Sequence, residues 1–267
     1  MTRKTARIAL ATAAVLGATA LGGWAAAPVE ATATTAANPP TSNRDAVVQV
    51  YLTRHGETML NALHLVQGWS DSPLTAAGRS SATTIGANLG TETGQMDAAY
   101  SSDMVRHHET ATLMLEGMGS KLSATRDERL RELNFGGWEG AKQSEMGAAV
   151  FGGLAQQGIT EPTLGQLTDA IKATNPVPAL PAEDCEEVSD RMQDSLDAIA
   201  EDAAKHRDDN VLVVSSGLSI SCLLVDLGAA HLLPPTGLAN GAVNLLTYTA
   251  GRWTVKTVND THFAAQP

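Results

Sequence analysis

Aromatic residues, cysteine and positive charge are all scarce in this chain. Phe, Trp and Tyr make up 4% of its 267 residues, and two residues are Cys. Its 18 Lys and Arg stand against 29 Asp and Glu, for a formal net charge of −11. So acidic a chain is a poor partner for nucleic acid or an anionic membrane. Two cysteines are too few for a disulfide framework, and no set of Cys, His, Asp and Glu has the spacing of a metal site. No segment repeats at a fixed period, which excludes a solenoid or propeller array. The 43% of hydrophobic residues is enough for an ordinary globular core. The length suits one large domain, or one domain with an insertion.

The N-terminus stands apart in composition. Arg3, Lys4 and Arg7 precede an Ala- and Gly-rich apolar run from Ile8 to Trp24, and small-residue cleavage sites follow at Ala27 and Ala33. This order is that of a secretory signal peptide, expected over residues 1–27, with 33 as the alternative end. The apolar run is short for a retained membrane span. Residues 34–46 then read as a disordered Thr/Ala/Asn/Pro spacer. The mature protein is therefore expected to be secreted or held at the cell surface, with no membrane partner after cleavage. Cys185 and Cys222 could pair in an oxidising compartment. Both fall in stretches read as helices, and nothing in the sequence brings them within bonding reach, so the reading taken is that they stay apart.

From Val47 onward, strands alternate with helices. VVQVYLTR is a buried strand ending in Arg54-His55-Gly56, and NVLVVSS from Asn210 to Ser216 is another. Shorter strands are expected over 97–103 and 121–132, and a closing hairpin turns at Ala250-Gly251. Helices are expected over 76–89, 104–117, 183–206 and 218–227. Residues 141–180 break the rhythm with several Gly and Pro, and read as a small helical lid inserted into a domain spanning 47–263. The fold class that follows is α/β, a three-layer α/β/α sandwich around a mostly parallel sheet.

Ligands bind beyond the carboxyl ends of strands in such sheets. Four strand ends here deliver polar groups: Arg54-His55; Ser101-Ser102-Asp103 with Arg106 one turn later; Arg131-Glu132; and Ser215-Ser216-Gly217 at a helix start. Two guanidiniums suit a phosphate, a helix N-terminus favours an anion, a neutral His can attack, and a carboxyl group can move a proton.

The ordered set resembles the histidine phosphatase superfamily, in its phosphoglycerate mutase-like branch. The matching pieces are Arg54-His55-Gly56-Glu57-Thr58 with Asn61, Gln67-Gly68, Pro73-Leu74-Thr75-Ala76-Ala77-Gly78, and Ser101-Ser102-Asp103 with Arg106 and Thr110-Ala111. Leu130 to Gly140, Glu183 with Arg191, and Asn259-Asp260-Thr261-His262-Phe263 complete it. The resemblance implies that His55 attacks phosphorus and becomes a phosphohistidine. It implies that Arg54 and Arg106 hold the phosphoryl oxygens, that Glu132 handles the proton of the leaving oxygen and then of water, and that Asn61, Gln67, Gly68 and Gly217 border the substrate. Glu139 is a competing acid, more simply read as an exposed Glu on a turn. The expected partner is a small phosphorylated substrate, with no cofactor and no metal.

One position departs from the pattern. The family closes its fourth strand with Ser-His-Gly, whose His is a second catalytic imidazole; here Ser216 stands at that place. A hydroxyl can still donate to a phosphoryl oxygen, so Ser216 remains a candidate catalytic residue in a weakened site. His107, beside Arg106, could lean in and replace the missing ring, although a His packed beside its helix is the simpler reading. The function expected is an exported phosphomonoesterase. The alternatives are a secreted pseudo-phosphatase that binds phosphorylated ligands without turnover, and a phosphoglycerate mutase.

Overall fold

The computed structural model describes residues 47–265. The leader and spacer expected over residues 1–46 lie outside them. In chain order the elements are β1 (Val47–Arg54), α1 (Met59–Ala62), α2 (Ala76–Thr93), β2 (Ala98–Ser101), α3 (Val105–Gly117), β3 (Thr125–Arg126), α4 (Gln143–Gln156), α5 (Leu164–Ala173), α6 (Cys185–His206), β4 (Asn210–Ser215), α7 (Gly217–Asp226), β5 (Val243–Thr249) and β6 (Arg252–Asp260). The strands form one sheet in the order β3-β2-β4-β1-β5-β6. The first four are parallel, and β5 and β6 close the sheet antiparallel.

Strand alternation builds the three layers. Val48, Val50 and Leu52 of β1 and Val211 and Val213 of β4 pack on one face, with Val188, Met192 and Leu196 of α6 and Ile220 and Leu223 of α7. Tyr51, Leu212 and Val214 point to the other face, against Ile85 and Leu89 of α2 and Met114 of α3. Successive residues of a strand face opposite sides, so near-continuous apolar runs, broken in β1 by Gln49 toward its start, are what a sheet covered twice requires. Side-chain caps set the helix starts: Thr75 accepts from the amide of Gly78 at 3.0 Å ahead of α2, and Asp184 from that of Glu187 at 3.1 Å ahead of α6.

Two expectations need correcting. The strand read over 121–132 shrinks to Thr125–Arg126 at the sheet edge. Asp127 accepts from the amide of Arg129 at 3.0 Å and turns the chain into a short 3₁₀ segment, Glu128–Leu130. Glu132 therefore arrives from a loop rather than a strand end. The second correction is covalent: Cys185 and Cys222 are bridged, with a Cα–Cα distance of 5.3 Å. Residues 37 apart in sequence meet because α6 and α7, on either side of β4 in the chain, pack on the same face of the sheet.

The register of the central strands positions the chemistry. Arg54 lies opposite Ser215, so His55 and Ser216 leave the sheet as neighbours. Ser101 lies opposite Val214, which starts α3, with its Arg106 and His107, on the same edge.

Candidate active site

His55 is buried, with 3% of its surface exposed, and its Nδ1 lies 2.7 Å from the carbonyl of Gly56. A carbonyl only accepts, so Nδ1 carries the proton and Nε2 keeps a lone pair. Burial, then the charges of Arg106 and Arg54, hold its pKa well below the usual value of 6.5, against a smaller opposing pull from the Gly56 carbonyl. The ring is therefore neutral near pH 7, in the tautomer a nucleophile needs. Its backbone is held from behind: Asn240 Nδ2 donates to the carbonyl of His55 at 3.1 Å, and the amide of Gly241 lies 3.1 Å from the Arg54 carbonyl and 3.2 Å from that of His55. Asn259 steadies this loop by accepting from the amide of Ala239 at 2.7 Å. Gly56 is needed for a close crossing, since a Cβ there would sit 2.9 Å from the carbonyl oxygen of Gly78.

The guanidinium of Arg54 donates through Nη1 to the carbonyl of Leu238, while its Nε is buried with no partner. An unpaired buried donor is costly; Arg54 as a residue lines the cavity, while this nitrogen has no open surface of its own. Burial lowers the pKa of Arg54, Glu132 opposes that, and Arg106 adds to it; an arginine stays charged regardless. Gly217 lets that side chain lie flat, because a Cβ would approach Arg54 Nε to 3.1 Å.

Arg106 is fully buried. It pairs with Asp71 at 2.9 Å and donates to the carbonyls of Gly68 at 2.7 Å and Ser70 at 3.2 Å. Its Nη2 also faces Ser216 Oγ at 3.5 Å. The loop 68–71 is thus wrapped around this guanidinium.

Glu132 accepts from the amides of Leu133 at 2.9 Å, Leu218 at 3.1 Å and Ser219 at 2.8 Å, and from the Ser219 hydroxyl at 3.0 Å. The N-terminus of α7, expected to receive the ligand, is therefore already engaged by the protein's own carboxylate, which its dipole attracts equally well. Arg191 fixes the approach of Glu132 by donating to the carbonyls of Arg129, Arg131 and Glu132 at 2.8, 2.7 and 2.9 Å while paired with Glu183 at 2.8 Å.

Arg54, His55, Glu132 and Gly217 line one cavity of about 400 Å³, together with Asn61 and Gln67. Gln67 spends its amide on Thr58 at 2.5 Å and Ser72 at 3.3 Å. Gly68 lies off the cavity. Its amide donates to Glu139 at 3.0 Å, and a Cβ would strike the Leu133 carbonyl, so it serves the packing of the Arg106 loop and not the substrate. Glu139 is neither acid nor free surface residue. It accepts from the amides of Gly68, Trp69, Ser70 and Phe135 at 2.7–3.0 Å and ties two loops together. His64 is exposed and stands outside the cavity. The rest of the wall is mostly apolar, with Leu65, Val66, Phe135, Met146, Val150 and Phe151 prominent and Gln143, Ser221 and Thr236 as its polar members. Helices α4 and α5 of the 141–180 insertion supply much of it.

His107 corrects the simpler sequence reading. It has no exposed surface, its ring centroid lies 5.2 Å from that of His55, and its Nε2 is 2.6 Å from Ser216 Oγ. Neither Ser216 nor Arg106 is among the residues lining the cavity, and both are fully buried. Among the described residues, no three His, Cys, Asp or Glu side chains converge as a metal site would need.

Residues 50–261 match the model of the histidine phosphatase superfamily, branch 1. A probable phosphoglycerate mutase, GpmB, of Salmonella paratyphi A is 33% identical over 181 residues, 67% of this chain and 74% of that one. The crystal structure of a phosphoglycerate mutase from Bacillus anthracis superposes with a TM-score of 0.76 at 38% identity, covering 84% of this chain and 98% of that one. Bacillus stearothermophilus YhfR gives a TM-score of 0.63 at 28% identity, over 82% and 100% of the two chains.

Proposed function

The chain belongs to the histidine phosphatase superfamily, and on that premise we propose that it is an exported phosphomonoesterase acting through a phosphohistidine at His55. The observation that carries this reading is His55 itself: neutral, with Nδ1–H committed to Gly56 and Nε2 unprotonated, lining the cavity together with Arg54 and Glu132. Nε2 attacks phosphorus, the ester P–O bond breaks, and the leaving oxygen takes a proton from Glu132. Water then attacks the phosphohistidine, gives its proton to Glu132 and releases phosphate. Splitting one hydrolysis into two transfers lowers each barrier. Arg54 and Arg106 supply the positive charge that the transferring phosphoryl group calls for.

The apolar wall favours substrates whose leaving group is small and apolar. It also weighs against the mutase that the names of the Salmonella and Bacillus anthracis relatives suggest. A phosphoglycerate brings a carboxylate, and Arg54 is the only Lys or Arg among the cavity-lining residues, with Glu132 close by. The Cys185–Cys222 bridge suits an oxidising compartment, which supports export. Purified protein should hydrolyse an aryl phosphate and fail to interconvert 3- and 2-phosphoglycerate. The reverse result would make it a mutase, and phosphate binding with neither activity would make it a binding protein. Export is tested by N-terminal sequencing of protein recovered outside the producing cells, where a start after Ala27 or Ala33 is expected and an intact Met1 start would contradict it.

A further inference from the structure

We propose that the Cys185–Cys222 bridge positions Glu132: it locks the helix that fixes the backbone of Glu132 to the helix that fixes its carboxylate, and so aims the acid at the leaving oxygen. The inference rests on the phosphatase reading and deepens it.

Glu132 sits in a loop, and two helices share the task of holding it. Helix α6, with Glu183 just ahead of it, takes the backbone. Arg191 donates to the carbonyls of Arg129, Arg131 and Glu132 and is oriented by Glu183 at 2.8 Å. Glu183 also meets Asn134 twice: its carboxylate accepts from the Asn134 amide, and its amide donates to the Asn134 carbonyl, both at 2.8 Å. Helix α7 takes the side chain, through the amides of Leu218 and Ser219 and the Ser219 hydroxyl.

These bonds divide unequally between the two carboxylate oxygens. Oε1 meets the amides of Leu133 and Ser219 and the Ser219 hydroxyl, whereas Oε2 meets the amide of Leu218 at 3.1 Å. Three donors fill Oε1, so Oε2 is the oxygen with a lone pair left for a proton. Glu132 lines the cavity with His55. A general acid works only within hydrogen-bond reach of the oxygen it protonates, so a small shift of α7 against α6 would turn Oε2 away from it.

The cysteines stand where such a shift would be felt. Cys185 opens α6, two residues after Glu183, and Cys222 follows Ser219 and Leu218 by three and four residues, on the same side of α7. The two helices also share an apolar cluster with Val188 and Met192 on one and Ile220 and Leu223 on the other. Apolar contact has no direction; the bridge adds a covalent tie close to the residues that hold Glu132. Cys185 is half-buried and Cys222 buried, so a small dithiol reaches the bridge from the Cys185 side. It supplies two electrons and two protons, leaving two cysteine thiols and closing to its own disulfide.

The test uses phosphate esters with leaving groups of graded basicity. An activated aryl phosphate releases its phenolate unprotonated and needs little help from an acid; an alkyl phosphate needs it in full. The quantity read is kcat/KM, which covers the steps through P–O cleavage, in the parent, in the parent opened by a dithiol, and in C185A/C222A. Loss of the bridge should lower kcat/KM for the alkyl ester by about tenfold, part of the ~10²–10⁴-fold that a positioned acid supplies, and for the activated ester by less than about twofold. With E132Q added, the two esters should respond alike. A uniform change across the series would place the effect in the cavity wall carried by α5, whose Thr168 accepts from the Cys185 amide at 3.1 Å. That result, or no change at all, would overturn the proposal. Should C185A/C222A fail to fold, the reduced parent carries the comparison, and a parent that unfolds on reduction would make the bridge a cross-link of the fold alone and overturn it. If the parent shows no turnover, the phosphatase reading fails separately. Amide exchange by NMR then decides: faster exchange at Leu133, Leu218 and Ser219 on loss of the bridge, with Val211 and Val213 unchanged, supports the positioning role, and any other pattern removes it.

Discussion

The carboxylate of Glu132 meets both the amide and the hydroxyl of Ser219, at 2.8 and 3.0 Å. A loop residue is thereby held at the start of α7 as firmly as a strand residue would be. If Glu132 is the proton carrier, E132Q should lose the chemistry, and because a Gln NH2 cannot accept from the Leu218 amide that Oε2 now holds, it should lose some stability as well. Steady-state kinetics should show kcat lower by about 10²–10⁴-fold, with a modest fall in Tm. A drop in Tm with kcat retained would make Glu132 a structural cap for α7.

Ser216→His alone should not improve the enzyme, although the family pattern suggests that it would. The imidazole of His107 already fills the space beside His55, with ring centroids 5.2 Å apart and no exposed surface. A second ring would overpack the site at a cost of about 1–3 kcal/mol. Thermal unfolding should show a lower Tm for S216H, and kinetics no gain in kcat. S216H/H107A, which makes room, should recover at least parental turnover. A faster single variant would mean that His107 can be pushed aside.

The histidines should titrate in two opposed groups. His55 and His107 are held well below 6.5, chiefly by burial, so NMR should find both rings still neutral at pH 6. His262 is exposed and raised by Asp260 first and Glu92 second, so it should stay protonated above pH 6.5. The unfolded chain binds protons on His55 and His107 near pH 6.5 while the folded chain does not. Their linkage therefore leaves stability undiminished above about 6.5 and removes it as pH falls from there toward the folded pKa values. His262 acts with the opposite sign: its contribution is present below its unfolded pKa and lost as pH rises through the folded one. Normal titration of all three near 6.5 would contradict the burial of the site.

The Cys185–Cys222 bridge closes a loop of 37 residues. Chain entropy assigns such a cross-link about 2–4 kcal/mol. Denaturant unfolding with and without reductant should differ by that amount, and thiol titration of native protein should find no free cysteine. Two free thiols in protein made under oxidising conditions would refute the bridge.

What could be read from sequence tracks the range of the interactions involved. β1 and β4 were legible because a buried strand is a local apolar run, and Arg54 and His55 because they end one. The hairpin at Ala250-Gly251 was legible because Gly readily takes the left-handed conformation of a two-residue turn, and the structure puts both residues there, with φ of 51° and 79°. The contact of His107 with Ser216 was not, since it depends on which face of α3 meets the end of β4, 109 residues away. The same holds for Glu139, whose partners lie about 70 residues earlier, and for Asn240 behind His55. The helix start at Gly217 was placed correctly, but its amides hold Glu132, because a helix dipole accepts whichever anion the tertiary fold brings nearest.

The account turns on covalent chemistry at one atom, Nε2 of His55. The most direct measurement is rapid quenching of the purified protein with a radiolabelled phosphomonoester under alkaline conditions. An acid-labile label should appear on the parent, map to the peptide carrying His55, and be absent from H55A, whose turnover should fall to background. A parent that hydrolyses the ester without any labelled histidine, or an H55A variant that turns over near the parental rate, would contradict it.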